Sequence, residues 1–112
     1  MTFYASILLA IAATLGLVMV ILGVRYHRSS FKLAMSHAAI AIGGLGFLGT
    51  QIINGPMNKY NNVAALLLML ALIGGGMLFA LREKNRPPAM MMVVIHASMA
   101  LTGLVVLFLG LQ

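Results

Sequence analysis

The sequence predicts an all-α integral membrane protein: an up-down four-helix bundle built from two helical hairpins repeated in the same orientation. Three observations lead there: an extreme composition, four apolar runs of membrane-spanning length, and a pattern that recurs in the second half. Of the 112 residues, 62% are hydrophobic and 7% charged, and the mean hydropathy is +1.09. A soluble domain carries about 25% charged residues, so an ordinary water-soluble fold is excluded. Low charge with high apolarity is equally the reverse of a disordered chain. The absence of cysteine removes disulfides, thiolate metal sites and thiol nucleophiles.

The four runs cover residues 3–24, 31–53, 63–81 and 88–111, within a single transmembrane domain spanning 1–112. Each approaches the ~20 residues a helix needs to cross a hydrocarbon core of ~30 Å. The first run begins MTFYASILLA, without a basic leader, and is full length, so it is expected to stay as a span. RYHRSSFK (25–32), NGPMNKYNN (54–62) and REKNRPP (82–88) connect the runs and hold every formal charge. Backbone polar groups must be satisfied inside lipid, so the spans are helices; a closed barrel would need alternating segments of ~10 residues, which are absent.

Charge sets the expected orientation. The net charge is +6, from seven Lys+Arg against the single acid Glu83. The first connection carries Arg25, Arg28 and Lys32, the third Arg82, Lys84 and Arg86, and the middle one only Lys59. The positive-inside rule places the first and third in the cytoplasm and both termini outside it, in a bacterial inner membrane. Basic clusters between apolar spans are the mark of membrane topology and not of nucleic-acid binding. Short connections make neighbouring helices antiparallel.

The internal repeat is the most informative feature. Aligning His37 with His96 superposes HAAIAIGGLGFL (37–48) on HASMALTGLVVL (96–107). The shared pattern comprises the histidines, Ala38/Ala97, Ala41/Ala100, Gly44/Gly103, Leu45/Leu104 and Leu48/Leu107. Matched Ala and Leu come easily in apolar sequence, but a matched His and Gly in register do not. Parallel repeats place corresponding residues opposite one another across an axis along the membrane normal. On each helix the His, the Ala at i+4 and the Gly at i+7 share one face. Two such faces opposed would form a slot with an imidazole on either wall, lined by Ala41, Ala100, Gly44 and Gly103. A flat macrocycle suits that slot, its iron held by His37 and His96, its acidic edge meeting Arg28, Lys32 and Arg86.

These residues resemble the membrane-embedded b-type cytochromes, with cytochrome b561-like proteins the nearest comparison. The resemblance implies a four-helix bundle with transmembrane histidines on facing helices ligating haem b. It covers the whole chain in architecture and rests on His37 and His96 in motif. Many such proteins hold two haems with four histidines. Here only His27 remains, in a connection, where it reads as an interfacial basic residue, so one haem per chain is implied. The expected function is single-electron carriage within the bilayer, alone or as a subunit of a redox complex or homo-oligomer, and not stand-alone catalysis.

Other readings stay open beside this one. Small residues at four-residue spacing often only let membrane helices approach, and a paired His can be an interhelical contact. A cofactor-free subunit that stabilises or assembles a larger complex would need nothing more. Ten Met, including Met90–Met92, also suit copper(I) alongside His, although Met35, Met69, Met77 and Met99 serve equally as packing residues. Gln51, Asn54, Asn58, Tyr60, Asn61 and Asn62 form a polar group on the outer side. It reads first as a solvated loop, with a quinone headgroup or protein partner as candidate ligands. Glu83 sits between Arg82 and Lys84 as a surface pair, so carboxylate proton exchange, paired-acid hydrolysis and a Ser-His-Asp triad lack their residues. Gly74–Gly76 has neither a preceding strand nor a following Lys, so it is no phosphate loop.

Overall fold

The computed structural model describes residues 2–26, 31–81 and 90–111. Of these, 92% are helical and none is in a strand. The four helices are α1 (Thr2–Arg25), α2 (Phe31–Asn54), α3 (Lys59–Ala80) and α4 (Met90–Leu109), each long and apolar enough to cross a bilayer. At 24, 24, 22 and 20 residues, they run about 30–36 Å at 1.5 Å per residue. The expected runs and the observed helices differ most at α3, which starts four residues earlier, at Lys59. The cause is local: the Asn58 side-chain oxygen accepts hydrogen bonds from the backbone N–H of Tyr60 (2.9 Å) and Asn61 (3.4 Å). An N-cap of this kind satisfies donors the helix leaves orphaned, so the polar stretch reading Lys-Tyr-Asn-Asn is the first turn of a helix.

Helices α1 and α2 pack closely together, as do α3 and α4, while the contacts of α2 with α3 and of α1 with α4 are lighter. Among the described residues, α2 and α4 make no backbone approach, nor do α1 and α3, so they stand diagonally. Within each pair the chains run antiparallel. In the first hairpin Gly44 meets Leu9 while His37 meets Ala12; in the second Gly103 meets Leu68 while His96 meets Ala71.

Most of the interior is made of twins at a spacing of 59 residues. The core cluster joins Ala5 with Ala64, Leu9 with Leu68 and Leu48 with Leu107. Ala12 and Ala71 are buried as well, as are Gly44 and Gly103. Ala and Gly share the inside with four leucines, and many large residues such as Leu17, Ile42, Leu66, Ile73, Val94 and Leu101 point outward. A water-soluble protein does the reverse. Lipid supplies no hydrophobic drive between helices, so close contact through Ala and Gly, with van der Waals packing, is what brings membrane helices together. The buried cluster lies in the half of the bundle nearest the α2–α3 connection. In the other half only Ala34 and its twin Val93 are buried among the described residues.

Candidate functional site

His37 and His96 sit where the tightly packed half gives way to the looser one. Each is six residues in from the first residue of its helix, or about 9 Å of helical rise. They lie on diagonal helices, yet their rings reach across the bundle. The ring centroids are 6.3 Å apart and the planes are inclined at 81°. Sequence reasoning expected the two imidazoles to be brought together, and the fold does so.

Each ring is anchored inside its own hairpin. His37 Nδ1 lies 2.7 Å from the carbonyl oxygen of Ala12, and His96 Nδ1 lies 2.7 Å from that of Ala71. A carbonyl oxygen can only accept, so each Nδ1 carries the proton and donates it. In a neutral imidazole that leaves the Nε2 lone pair bare. Such an anchor is what a ligating histidine uses to fix its tautomer and ring orientation. Both rings therefore present the same atom, by the same device, from equivalent positions.

The residues facing each ring complete the pattern. A Cβ placed on Gly16 would lie 3.1 Å from His37 Cε1, and one on Gly75 would lie 2.9 Å from His96 Cε1. Each imidazole edge thus lies against bare helix backbone, one turn beyond the carbonyl that holds it. The sequence signal was available: Ala12-x-x-x-Gly16 and Ala71-x-x-x-Gly75 are 59 residues apart, the same spacing as the histidines. Leu8/Leu67 and Leu9/Leu68 extend the match. The repeat therefore spans both helices of each hairpin.

The glycines expected to line a slot are placed differently. A Cβ on Gly44 would lie 2.8 Å from Leu9 Cγ, and one on Gly103 would lie 2.9 Å from Leu68 Cγ. Each receives a leucine from its own hairpin and does not face its twin across the axis. They are the contact points that let α2 close on α1 and α4 on α3. Ala41 and Ala100, one turn beyond the histidines, are half-buried, and Lys32 is exposed at the start of α2. Arg28 and Arg86 lie outside the described residues, as does His27. No group of three or more His, Cys, Asp or Glu forms a metal cluster among the described residues, so a metal here would draw only two protein ligands of these types.

The polar group at the far end does structural work. Asn58, besides capping α3, donates through Nδ2 to the carbonyl oxygen of Gly110 at 3.2 Å, tying the start of α3 to the end of α4. Asn61 is 3% exposed, and its side-chain oxygen has no partner. Gly110 allows the contact, because a Cβ there would lie 2.8 Å from Tyr60 Cβ and 3.3 Å from Asn61 Oδ1. A cavity of about 270 Å³ opens beside this clasp, lined by Ile52, Gly55, Pro56, Met57 and the asparagines 58, 61 and 62. It is at the opposite end of the spans from the histidines. Compared with protein-family models, curated proteins and solved structures, the chain matches none.

Proposed function

We propose that this chain is an integral membrane protein that binds one haem b between His37 and His96 and carries single electrons within the bilayer. The observation that carries the reading is the repeated imidazole pair. A metal lies about 2.0–2.1 Å from an imidazole nitrogen, which puts each ring centroid roughly 3.2 Å from the metal. Two imidazoles sharing one ion then have centroids at most roughly 6.4 Å apart. The separation here is 6.3 Å. His37 and His96 would be the two protein ligands of the iron, through the Nε2 atoms that their Nδ1 hydrogen bonds leave unprotonated. Haem, when bound, supplies the reversible one-electron couple, and burial and ligand hydrogen bonds tune its potential.

The chain's own residues do the rest. Ala12 and Ala71 carbonyls hold both rings, and the half between the histidines and the basic connections, where few residues are buried, is where a porphyrin would have to be admitted. Lys32, with Arg28 and Arg86, would meet the propionates at the cytoplasmic mouth. In this reading the helices form an up-down bundle with both termini outside the cytoplasm, in a bacterial inner membrane. The redox partners are other membrane subunits, a second copy of the chain or a quinone. The test is the absorbance of protein purified from haem-supplied cells. A Soret band and a sharp reduced α-band are expected, and protein that neither contains nor takes up haem refutes the proposal.

A cofactor-free membrane subunit is the competing reading, and one observation favours it. The two rings meet edge to face at 81°, a geometry in which aromatic rings attract each other without any ligand. Under that reading the pair joins the two hairpins and is worth about 0.6–2 kcal/mol.

A further inference from the structure

The glycine one turn after each anchoring carbonyl has no part in the reading above, yet it occurs twice in the same relation. In an α-helix the Cα–Cβ bond leans toward the N-terminus, so the side chain of residue i+4 lies over the carbonyl of residue i. That carbonyl has two lone pairs, one of them engaged by the helical N–H. A ring approaching from a neighbouring helix reaches the second only where residue i+4 lacks a bulky Cβ. Ala12 with Gly16, and Ala71 with Gly75, meet that requirement. A Cβ would stand 3.1 and 2.9 Å from the two Cε1 atoms, closer than carbon atoms in comfortable contact. Neighbouring glycines differ: a Cβ on Gly43 or Gly76 would meet nothing within 4 Å.

We infer that Ala12–Gly16 and Ala71–Gly75 are matched backbone windows that fix the tautomer and plane of the two histidines, and so set the electronic character of a haem held between them. The inference rests on the haem reading. Each window admits its imidazole in one orientation, and the two orientations differ by 81°. Imidazoles bind iron partly through π overlap with two of its d orbitals. Nearly perpendicular rings load those two orbitals equally and leave them close in energy; parallel rings split them. In low-spin ferric haem a smaller splitting gives a larger maximum g value. Gly16 and Gly75 are accordingly positioning residues: they touch the ligands and act on the iron through them.

The test is electron paramagnetic resonance of the full-length, haem-loaded protein and four variants. Gly16→Ala and Gly75→Ala are expected to retain haem and to shift the maximum g value downward, each by a similar amount. Gly43→Ala and Gly76→Ala, which add the same methyl group to open space in α2 and α3, are expected to superpose on the wild type. Window variants that keep haem with unchanged spectra overturn the inference and leave the haem reading standing. Wild-type protein without haem overturns both. Where a window variant loses its fold or its haem, the wild type decides, by nitrogen NMR of labelled histidine in the haem-free protein in bilayers. Protonated Nδ1 on both His37 and His96 is the expected result; protonation at Nε2 instead overturns the windows.

Discussion

The two hairpins are built to one plan in their middle and differ at their ends. Each carries an Ala carbonyl holding a His, a Gly against that ring, and a second Gly filled by a leucine. The end near the α2–α3 connection is another matter. In the second hairpin Asn58 caps α3 and reaches Gly110, just past the end of α4, with Asn61 buried beside it. The first hairpin has Gln51 and Thr2 at the positions 59 residues before Gly110 and Asn61, so it lacks counterparts of the buried asparagine and of the glycine beside it. The lesson is that the twinned part comprises the core and the imidazole anchors, whereas the unmatched part serves one hairpin's closure. Residues kept alike in both halves make the core and hold the rings; the clasp closes the second hairpin alone.

That division can be broken by measurement, beginning with the core. Leu48 and Leu107 are fully buried twins, so Leu48→Ala and Leu107→Ala should each cost about 2–5 kcal/mol in reversible unfolding from detergent or bicelles. Costs that differ by more than the spread of repeat measurements would show that the halves do not share the core equally. Overpacking comes next. Gly44→Leu and Gly103→Leu push a side chain into Leu9 and Leu68, and a loss of about 1–3 kcal/mol is expected in each. Gly43→Leu, facing open space, supplies the reference, and an equal loss there would place the tight contact elsewhere.

The clasp should behave unlike the twins. Asn58→Ala removes an N-cap and should lower stability by about 1 kcal/mol, without altering the surroundings of either histidine. A change in histidine NMR shifts on Asn58→Ala would couple the two ends and undo the separation drawn above. The smallest effect expected is on labelling topology. A cysteine at Asn58 should react with an impermeant thiol reagent from outside the cell and one at Ser29 should not, with no loss of stability beyond that of the cap. The opposite labelling would invert the orientation and put the histidines nearer the outer face.

How far the sequence carried this account varied with the information in each residue type. Four spans were legible because length and apolarity are imposed directly by the bilayer. The α2–α4 correspondence was legible because His and Gly are rare enough in apolar sequence to register a match. Its continuation through α1 and α3 was legible only as a loose agreement between two hairpins, since Ala5, Leu9 and Ala12 against Ala64, Leu68 and Ala71 resemble any apolar run. Only Gly16 and Gly75 distinguish it. The start of α3 was missed because its first turn is polar and its stability comes from the Asn58 side chain. The direction of Gly44 and Gly103 was missed for another reason. Helical periodicity says which residues share a face, and says nothing of which neighbouring helix that face meets. Here it meets the partner within the hairpin.

The central claim is that one histidine from each hairpin holds a single iron from opposite sides. Its most direct test is the reduced-minus-oxidised spectrum and haem content of His37→Ala, His96→Ala and His27→Ala beside the wild type, all produced with ample haem. The account predicts one haem per chain in the wild type and in His27→Ala. It also predicts loss of the low-spin spectrum in each of the other two variants, to the same degree. A low-spin spectrum that survives either His37→Ala or His96→Ala would contradict it.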